Sequence, residues 1–164
     1  MTDNARRAPE STVTRQSPIE RNEVSEHNKQ VVRRYFAELD RLHATPVDLC
    51  TADYTFRLAG SPPMGLEAVK QFTEAFFSGM PDLRHPLEEL IAEDDKVALR
   101  CRYEGTHTGE LMGVPPSGRA VSAVGIGMMR VVDDKVAEFW VSPDRMTIME
   151  QIGALPAEEQ ADPA

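Results

Sequence analysis

Cysteine is scarce in this sequence, and no apolar run is long enough to span a bilayer. The two cysteines, Cys50 and Cys101, have no metal-binding or redox spacing. Each lies among apolar residues, so we expect two reduced core thiols in a cytoplasmic protein. No apolar segment follows the basic residues near the N-terminus, which argues against a secretory signal. These absences predict neither a disulfide framework nor a membrane span.

Basic residues are outnumbered, with 18 lysines and arginines against 27 aspartates and glutamates, a formal net charge of −9. An acidic chain repels phosphate backbones and anionic lipid surfaces. We therefore expect neither nucleic acid nor membrane as a partner.

Motifs for cofactors and nucleophiles are also missing. The sequence has no phosphate loop, no dinucleotide fingerprint and no serine or cysteine nucleophile motif. Its four histidines are dispersed, without the close spacing of zinc ligands: His27, His43, His85 and His107. The sequence therefore predicts no metal site and no cofactor.

The chain has the size and composition of one domain, with 164 residues, 41% hydrophobic and 27% charged. Residues 1–18 contain almost no large apolar side chain and predict a disordered tail. Residues 157–164 are acidic and rich in alanine, and they predict a frayed end. The single domain is expected over residues 19–156.

Two amphipathic helices are predicted in the first half of the chain. Apolar residues recur at three- and four-residue steps over residues 19–43 and again over residues 65–78. Glu38, Asp40 and Arg41 are expected on the outer side of the first helix. A short helical turn is expected at 47–51, and a strand with alternating apolar residues at 54–58.

The second half predicts mostly sheet. Strands are expected at 83–92, from Val97 to His107, at 119–132 and at 136–141, followed by a helix with Ser142 as N-cap and an end at Gly153. Helices that precede a long antiparallel meander are typical of an α+β fold. A strongly curved sheet wrapped around the helices would leave a pocket between them.

Residues Gly105–Arg119 read GTHTGELMGVPPSGR. This run resembles the GTHxGxFxGxPPTGR signature of SnoaL-like polyketide cyclases, and further matching segments follow the expected order within residues 27–155: Gly65–Val69, Met80–Leu83, Glu138–Trp140 and Glu150–Gly153. The resemblance implies a cone-shaped α+β barrel of the nuclear transport factor 2-like superfamily, with helices packed in a mixed sheet around an apolar cavity. It also implies a homodimer formed through the outer face of the sheet.

Founding members of that family close polyketide rings by an intramolecular aldol reaction, with an acidic residue that moves the proton and no cofactor. Relatives open epoxides, form pyran rings or assist hydroxylation, and others only bind or scaffold. In this sequence Gly127 stands where many members carry the acid/base aspartate, and Phe139 stands where many carry histidine. Another group must therefore move the proton, or the chemistry differs.

Three residues are the candidates for catalysis: Glu138, His107 and Asp144. Strand parity places Glu138 with Val136 and Trp140 on the inner face, where a carboxylate would have a raised pKa and act as an acid/base. The alternative is a solvated or ion-paired surface residue. His107 would stabilise an oxyanion, or it is a loop histidine that orients the Pro-Pro turn. Asp144 would line the pocket, or it serves only the start of the last helix.

Six residues are the candidates for substrate binding, and the same residues would also make an ordinary core: Tyr54, Trp140, Tyr103, Phe56, Met129 and Phe72. His85 also has inward parity. Arg100 and Arg102 have outward parity, and no Asp-Arg-Asp epoxide-hydrolase triad is evident.

The sequence as a whole predicts a cofactor-independent acid/base cyclase whose substrate is an apolar, oxygen-bearing small molecule such as a polyketide. Glycine at position 127 keeps two alternatives open. One is an epoxide-opening ether cyclase or an epoxide hydrolase, which would bring Glu138 and Asp144 together inside the pocket. The other is a non-catalytic binding or scaffolding protein, which a Glu138 outside the pocket would favour.

Overall fold

The computed structural model describes residues 17–155. The predicted tails, residues 1–18 and 157–164, lie outside the described residues except for Ser17 and Pro18. These two residues start the first helix, one residue earlier than expected. The Ser17 hydroxyl accepts the Glu20 amide proton, and the Glu20 carboxylate accepts the Ser17 amide proton, which together form a capping box.

Three α-helices and a short 3-10 helix lie within residues 17–155, and their bounds follow the predicted periodicity closely: α1 Pro18–Leu42, the 3-10 helix Val47–Leu49, α2 Leu66–Gly79 and α3 Arg145–Ile152. The N-cap of α3 is Asp144 rather than Ser142. Ser142 and Pro143 stay extended because they pair with the neighbouring strand. Gly153 ends α3 in the left-handed conformation, as predicted.

Six strands form one curved, unclosed mixed sheet in this part of the chain, with the bounds β1 Cys50–Leu58, β2 Met64–Gly65, β3 Leu87–Glu93, β4 Lys96–Thr106, β5 Ala120–Val132 and β6 Lys135–Pro143. The strand order is β2-β1-β6-β5-β4-β3. β1 and β6 are parallel, and every other neighbouring pair is antiparallel. The predicted α+β class is confirmed.

The strand predicted at 83–92 starts later than expected. β3 begins at Leu87, and the preceding segment keeps only a single bridge between Arg84 and Glu104. Leu83 and His85 in that segment nevertheless point inward and are buried. The inward parity predicted for His85 is therefore confirmed, although residues 83–86 lie outside a strand apart from the bridge at Arg84.

A bulge in β6 changes which residues face inward. Arg130 pairs with Glu138 but Val131 pairs with Val136, so Ala137 is an extra residue on β6. Val136 and Ala137 are both buried, and inward parity then passes to Phe139. The expectation that Glu138 and Trp140 point into the cone is wrong. It assumed that inward and outward residues alternate without interruption from Val136, whereas the bulge shifts the alternation by one residue.

The core lies between α1, α2 and the concave face of the sheet. Phe139 is at its centre, with ring centroids 5.5 Å from Phe56, 5.8 Å from Phe36 and 6.2 Å from Tyr35. All three contacts have the edge-to-face geometry that aromatic pairs favour. This aromatic cluster forms the wall on which the site described next is built.

Candidate active site

An apolar cavity of about 60 Å³ lies between the two long helices and the concave face of the sheet. Most of its wall is aromatic, and it includes three of the residues expected to bind substrate, Phe56, Phe72 and Tyr103. Tyr54 is buried directly behind the wall, where its hydroxyl lies 3.2 Å from that of the cavity-lining Tyr35. Met129 is fully buried in the core but does not line the cavity. The result is a small, mostly apolar space.

Within the part of the chain that the structure describes, one contact between ionisable side chains lies at the cavity wall, and it joins Asp40 and His85. His85 Nδ1 lies 2.6 Å from one carboxylate oxygen of Asp40, and the His85 backbone amide donates to the other at 2.9 Å. Because the carboxylate accepts, the Nδ1 position carries a proton. Nε2 has no hydrogen-bond partner among residues 17–155, while the ring lines the cavity. The two bonds to Asp40 fix the orientation of the imidazole ring at the cavity wall.

Asp40 is a candidate site residue that the sequence analysis did not predict, because it was placed on the outer side of α1. It follows Val32 by eight residues and Phe36 by four, so it shares their inward face. The signal was therefore present in the helical spacing. Asp40 was assigned to the solvent side because charged side chains are ordinarily exposed.

The three tyrosines of the chain, Tyr35, Tyr54 and Tyr103, all belong to this region. The Tyr103 ring meets the His85 ring edge-on, with centroids 4.8 Å apart. Burial is the main cause that raises the pKa of each tyrosine above its ordinary value. The tyrosines are therefore neutral hydroxyls that can donate a hydrogen bond at physiological pH.

Buried thiols and phenols should make the protein sensitive to alkali. Burial raises the pKa of Cys50 and of Cys101 to about 12, so the folded protein keeps these protons after the unfolded chain has lost them. The free energy of unfolding should therefore fall above about pH 9, by about 1.4 kcal/mol per pH unit for each thiol, and faster above about pH 10 where unfolded tyrosines ionise. Urea denaturation at pH 7, 9 and 10 measures this loss. A Cys101→Ala variant should show a shallower decline, and equal stability at pH 7 and 10 would contradict the prediction.

Glu138 lies on the outer face of the sheet, not in the cavity. Its carboxylate accepts a hydrogen bond from Arg57 Nε at 3.0 Å and lies 3.8 Å from Arg130 Nε. The bond from Arg57 is the main cause that lowers the pKa of Glu138. Trp140 lies on the same face, 49% exposed, with the Arg57 guanidinium carbon 4.9 Å from its ring centroid. Glu138 therefore matches its surface alternative, whereas Trp140 is neither a wall of the cavity nor a core residue, so the prediction for Trp140 is wrong.

His107 is fully buried but does not line the cavity. Its Nδ1 lies 3.0 Å from the Ser117 hydroxyl and accepts the Ser117 amide proton at 3.3 Å. Its backbone amide donates to Arg119, and its carbonyl accepts from Gly118. His107 thus orients the Pro-Pro turn, which was the structural alternative for this residue.

Asp144 is exposed and caps α3. Its carboxylate accepts from the Thr147 amide at 3.0 Å and from the Thr147 hydroxyl at 2.7 Å. These bonds, with that of the amide first, lower the pKa of Asp144. Its position serves the start of α3 and lies outside the cavity.

Position 127 has no room for the aspartate that the family resemblance led us to expect. A Cβ atom on Gly127 would lie 2.7 Å from the Trp140 carbonyl oxygen and 2.9 Å from a ring carbon of Phe139. The phenyl ring of Phe139 occupies the inward space that a side chain at 127 would need. The two departures from the family pattern are therefore linked, because the phenyl ring at position 139 fills the space that glycine at position 127 leaves open.

Within residues 17–155 no group of three or more histidine, cysteine, aspartate or glutamate side chains is arranged to hold a metal ion. None of the helices in this range is both long and apolar enough to cross a membrane.

Comparison with known proteins assigns the chain to a family. The profile of the SnoaL-like polyketide cyclases matches residues 29–152, and the chain belongs to that family. Aklanonic acid methyl ester cyclase DnrD of Streptomyces peucetius is 33% identical over 69 residues, which are 41% of this chain and 48% of that protein. The match thus spans less than half of the length of the curated relatives.

Two solved structures extend the likeness to nearly the whole fold. AclR of Streptomyces galilaeus, a candidate hydroxylase, has a TM-score of 0.75 at 27% identity, over 83% of this chain and 87% of its own. A candidate SnoaL-like polyketide cyclase from Jannaschia sp. CCS1 has a TM-score of 0.73 at 26% identity, over 87% and 99%. The two relatives carry different activities in their descriptions, so the fold does not fix the reaction.

Proposed function

We propose that this protein closes a ring in a polyketide-type small molecule by acid/base catalysis, without a cofactor, in the cavity beside His85. The observation that carries the proposal is the His85–Asp40 pair, a hydrogen bond of 2.6 Å between two ionisable side chains at the wall of a mostly apolar cavity. A buried histidine with one nitrogen held by a carboxylate is suited to moving protons near neutral pH. The family and the cyclase activity of DnrD support the same reaction class.

The reaction needs only proton transfers. His85 Nε2 removes a proton from a carbon that lies between two carbonyl groups of the substrate. The resulting enolate carbon attacks a ketone carbon of the same molecule, a carbon–carbon bond forms, and the ketone oxygen becomes an alkoxide. The proton on Nε2 then passes to that alkoxide. Atoms and electrons balance without an oxidant, and the product is an isomer of the substrate.

The cavity orients the substrate and keeps water away from the reacting atoms. Its aromatic wall favours a flat, apolar substrate and excludes water that would compete for the enolate. A volume of about 60 Å³ is small beside the roughly 300–1,000 Å³ typical of ligand pockets, so binding must widen the space between α2 and the sheet. Two half-buried phenylalanines on α2, Phe72 and Phe76, face this space and can repack.

A non-catalytic binding protein is the second candidate function. Two observations favour it, the outward position of Glu138 and the glycine at 127. The epoxide-opening alternative calls for two carboxylates converging on the cavity, and Glu138 and Asp144 both lie outside it. It therefore has less support than the other two.

Incubation with an aryl-linked poly-β-ketone distinguishes the two candidates. Chromatography with mass detection should reveal a ring-closed product of unchanged mass, at a rate proportional to protein concentration. Saturable binding of the polyketone without conversion would support the non-catalytic candidate instead.

We also propose a homodimer formed through the outer face of the sheet. An exposed apolar row crosses the strands in register, in which Ile91 pairs with Ala98, Ala98 with Met128, and Met128 with Trp140. Ile91 is 64% exposed, Met128 41% and Trp140 49%. A continuous apolar strip of this kind marks an interaction surface.

Light scattering at micromolar concentration should give a mass of twice 18.2 kDa. Met128→Glu should yield a monomer, because it places a charge in the centre of the strip. Met146→Glu is the control, since Met146 is also exposed, 62% against 41% for Met128, but lies on α3 and not on the sheet. A monomer mass for the unmodified protein would refute the dimer.

A further inference from the structure

Tyr35 and Tyr54 form a hydrogen bond between their hydroxyl groups at the cavity wall, and their surroundings indicate which of the two donates. Tyr54 is 2% exposed and does not line the cavity, and its hydroxyl has a single hydrogen-bond partner among the described residues, the Tyr35 hydroxyl at 3.2 Å. Tyr35 is also buried, yet its side chain forms part of the cavity wall. The two hydroxyls therefore have different surroundings.

A bond between two hydroxyl groups uses only one of their two protons. If Tyr35 donated to Tyr54, the proton of Tyr54 would be buried without an acceptor, which is costly. If Tyr54 donates to Tyr35, the proton of Tyr35 is left over, and it can point into the cavity where a ligand can accept it. The second arrangement leaves no proton stranded behind the wall, so it is the favoured one.

We propose that the Tyr35 hydroxyl is the subsite for a hydrogen-bond-accepting oxygen of the ligand, a carbonyl or enolate oxygen, and that Tyr54 is the positioning residue that turns its proton into the cavity. The proposal rests on the proposed function in taking this cavity as the ligand site. It adds the chemistry that the site selects, since an apolar wall with a directed donor favours an acceptor oxygen over a bare hydrocarbon.

The subsite also fits the electrostatics of the cavity. Burial keeps the Tyr35 phenol neutral, so it donates rather than repels as negative charge develops on the ligand oxygen. The Tyr103 hydroxyl, which has no hydrogen-bond partner within residues 17–155, is the competing donor on the same wall. The experiment must therefore separate Tyr35 from Tyr103.

Two small probes of the same skeleton test the proposal, 1-indanone and indane, which differ by one carbonyl oxygen. The unmodified protein should bind indanone about five- to tenfold more tightly than indane, the worth of one buried hydrogen bond. Tyr35→Phe should abolish that preference and shift the carbonyl stretching band of bound indanone to the frequency of a carbonyl without a hydrogen bond. Tyr54→Phe should weaken the preference and broaden the band, with indane affinity unchanged.

Several outcomes would overturn the proposal. These are a carbonyl preference that survives in Tyr35→Phe, its loss in Tyr103→Phe alone, and unmodified protein that binds both probes equally or neither. If Tyr35→Phe does not fold, the carbonyl band in Tyr54→Phe decides, because a band identical to that of the unmodified protein contradicts the directed proton. The readout is equilibrium binding, so a carbonyl preference without ring closure would refute only the proposed catalysis. Ring closure with an intact preference in Tyr35→Phe would refute only this subsite.

Discussion

Replacing His85 by glutamine should lower the rate of ring closure by about 10²- to 10⁴-fold, the usual contribution of one general acid/base group. Glutamine keeps much of the size and polarity of the imidazole but cannot take up a proton near neutral pH. Asp40 can still accept hydrogen bonds from the side chain and backbone at position 85, as it does from His85 now. The fold should therefore persist, and substrate affinity should change little while turnover falls. Initial rates of isomer formation, with binding measured separately, give the two quantities.

His43→Gln is the matched control, because His43 is exposed at the end of α1 and stacks on the Phe77 ring without lining the cavity. Its turnover should equal that of the unmodified protein. Asp40→Asn should lower turnover less than His85→Gln, since the imidazole stays but its held tautomer is lost. Glu138→Gln separates the sequence-based hypothesis from the structural one. If its loss matched that of His85→Gln, the proton carrier would lie at Glu138 and the role given to His85 would be refuted.

The fold was predictable because its signals are local. Val97, Leu99, Cys101 and Tyr103 alternate with polar residues, and all four are buried on the inner face of β4. The helix bounds likewise followed from periodicity and from terminators such as Gly153. These patterns depend on neighbours in sequence, so one chain is enough to read them.

The candidate site was harder to predict because it depends on pairings between distant residues. The bulge at Ala137 exists only in the register between β5 and β6, and nothing in the residues of β6 alone announces it. Asp40 and His85 are 45 residues apart and meet only when α1 packs on the sheet. Strand parity therefore favoured Glu138 as the proton carrier, and the charge of Asp40 favoured the solvent side of α1. Only the tertiary contacts correct both assignments.

The signature segment Gly105–Arg119 acts on the fold through its close contact with the end of α2. The amides of Thr108 and Gly109 both donate to the Gly79 carbonyl oxygen, at 3.1 and 2.9 Å, and so satisfy an acceptor that the helix end leaves open. A Cβ atom on Gly109 would overlap the backbone carbonyl oxygen of Ser78. The glycine is thus required for the approach of two backbones, a role distinct from catalysis.

Gly109→Ala should accordingly lower the free energy of unfolding by about 3 kcal/mol or more, from the overlap together with the weakening of two hydrogen bonds. In a domain of this size the midpoint of thermal unfolding should fall by about 6–12 °C. Gly65→Ala is the control, since its Cβ would meet nothing within 4 Å and its φ is −78°. Gly65 is the N-cap of α2, so this variant should lose only a small part of the stability that Gly109→Ala loses. Equal melting temperatures for the two variants would contradict the contact. The backbone amide of His107 should lose protection against hydrogen exchange in Gly109→Ala but not in Gly65→Ala. The reason is that the loop that carries His107 must move away from α2 to admit the methyl group.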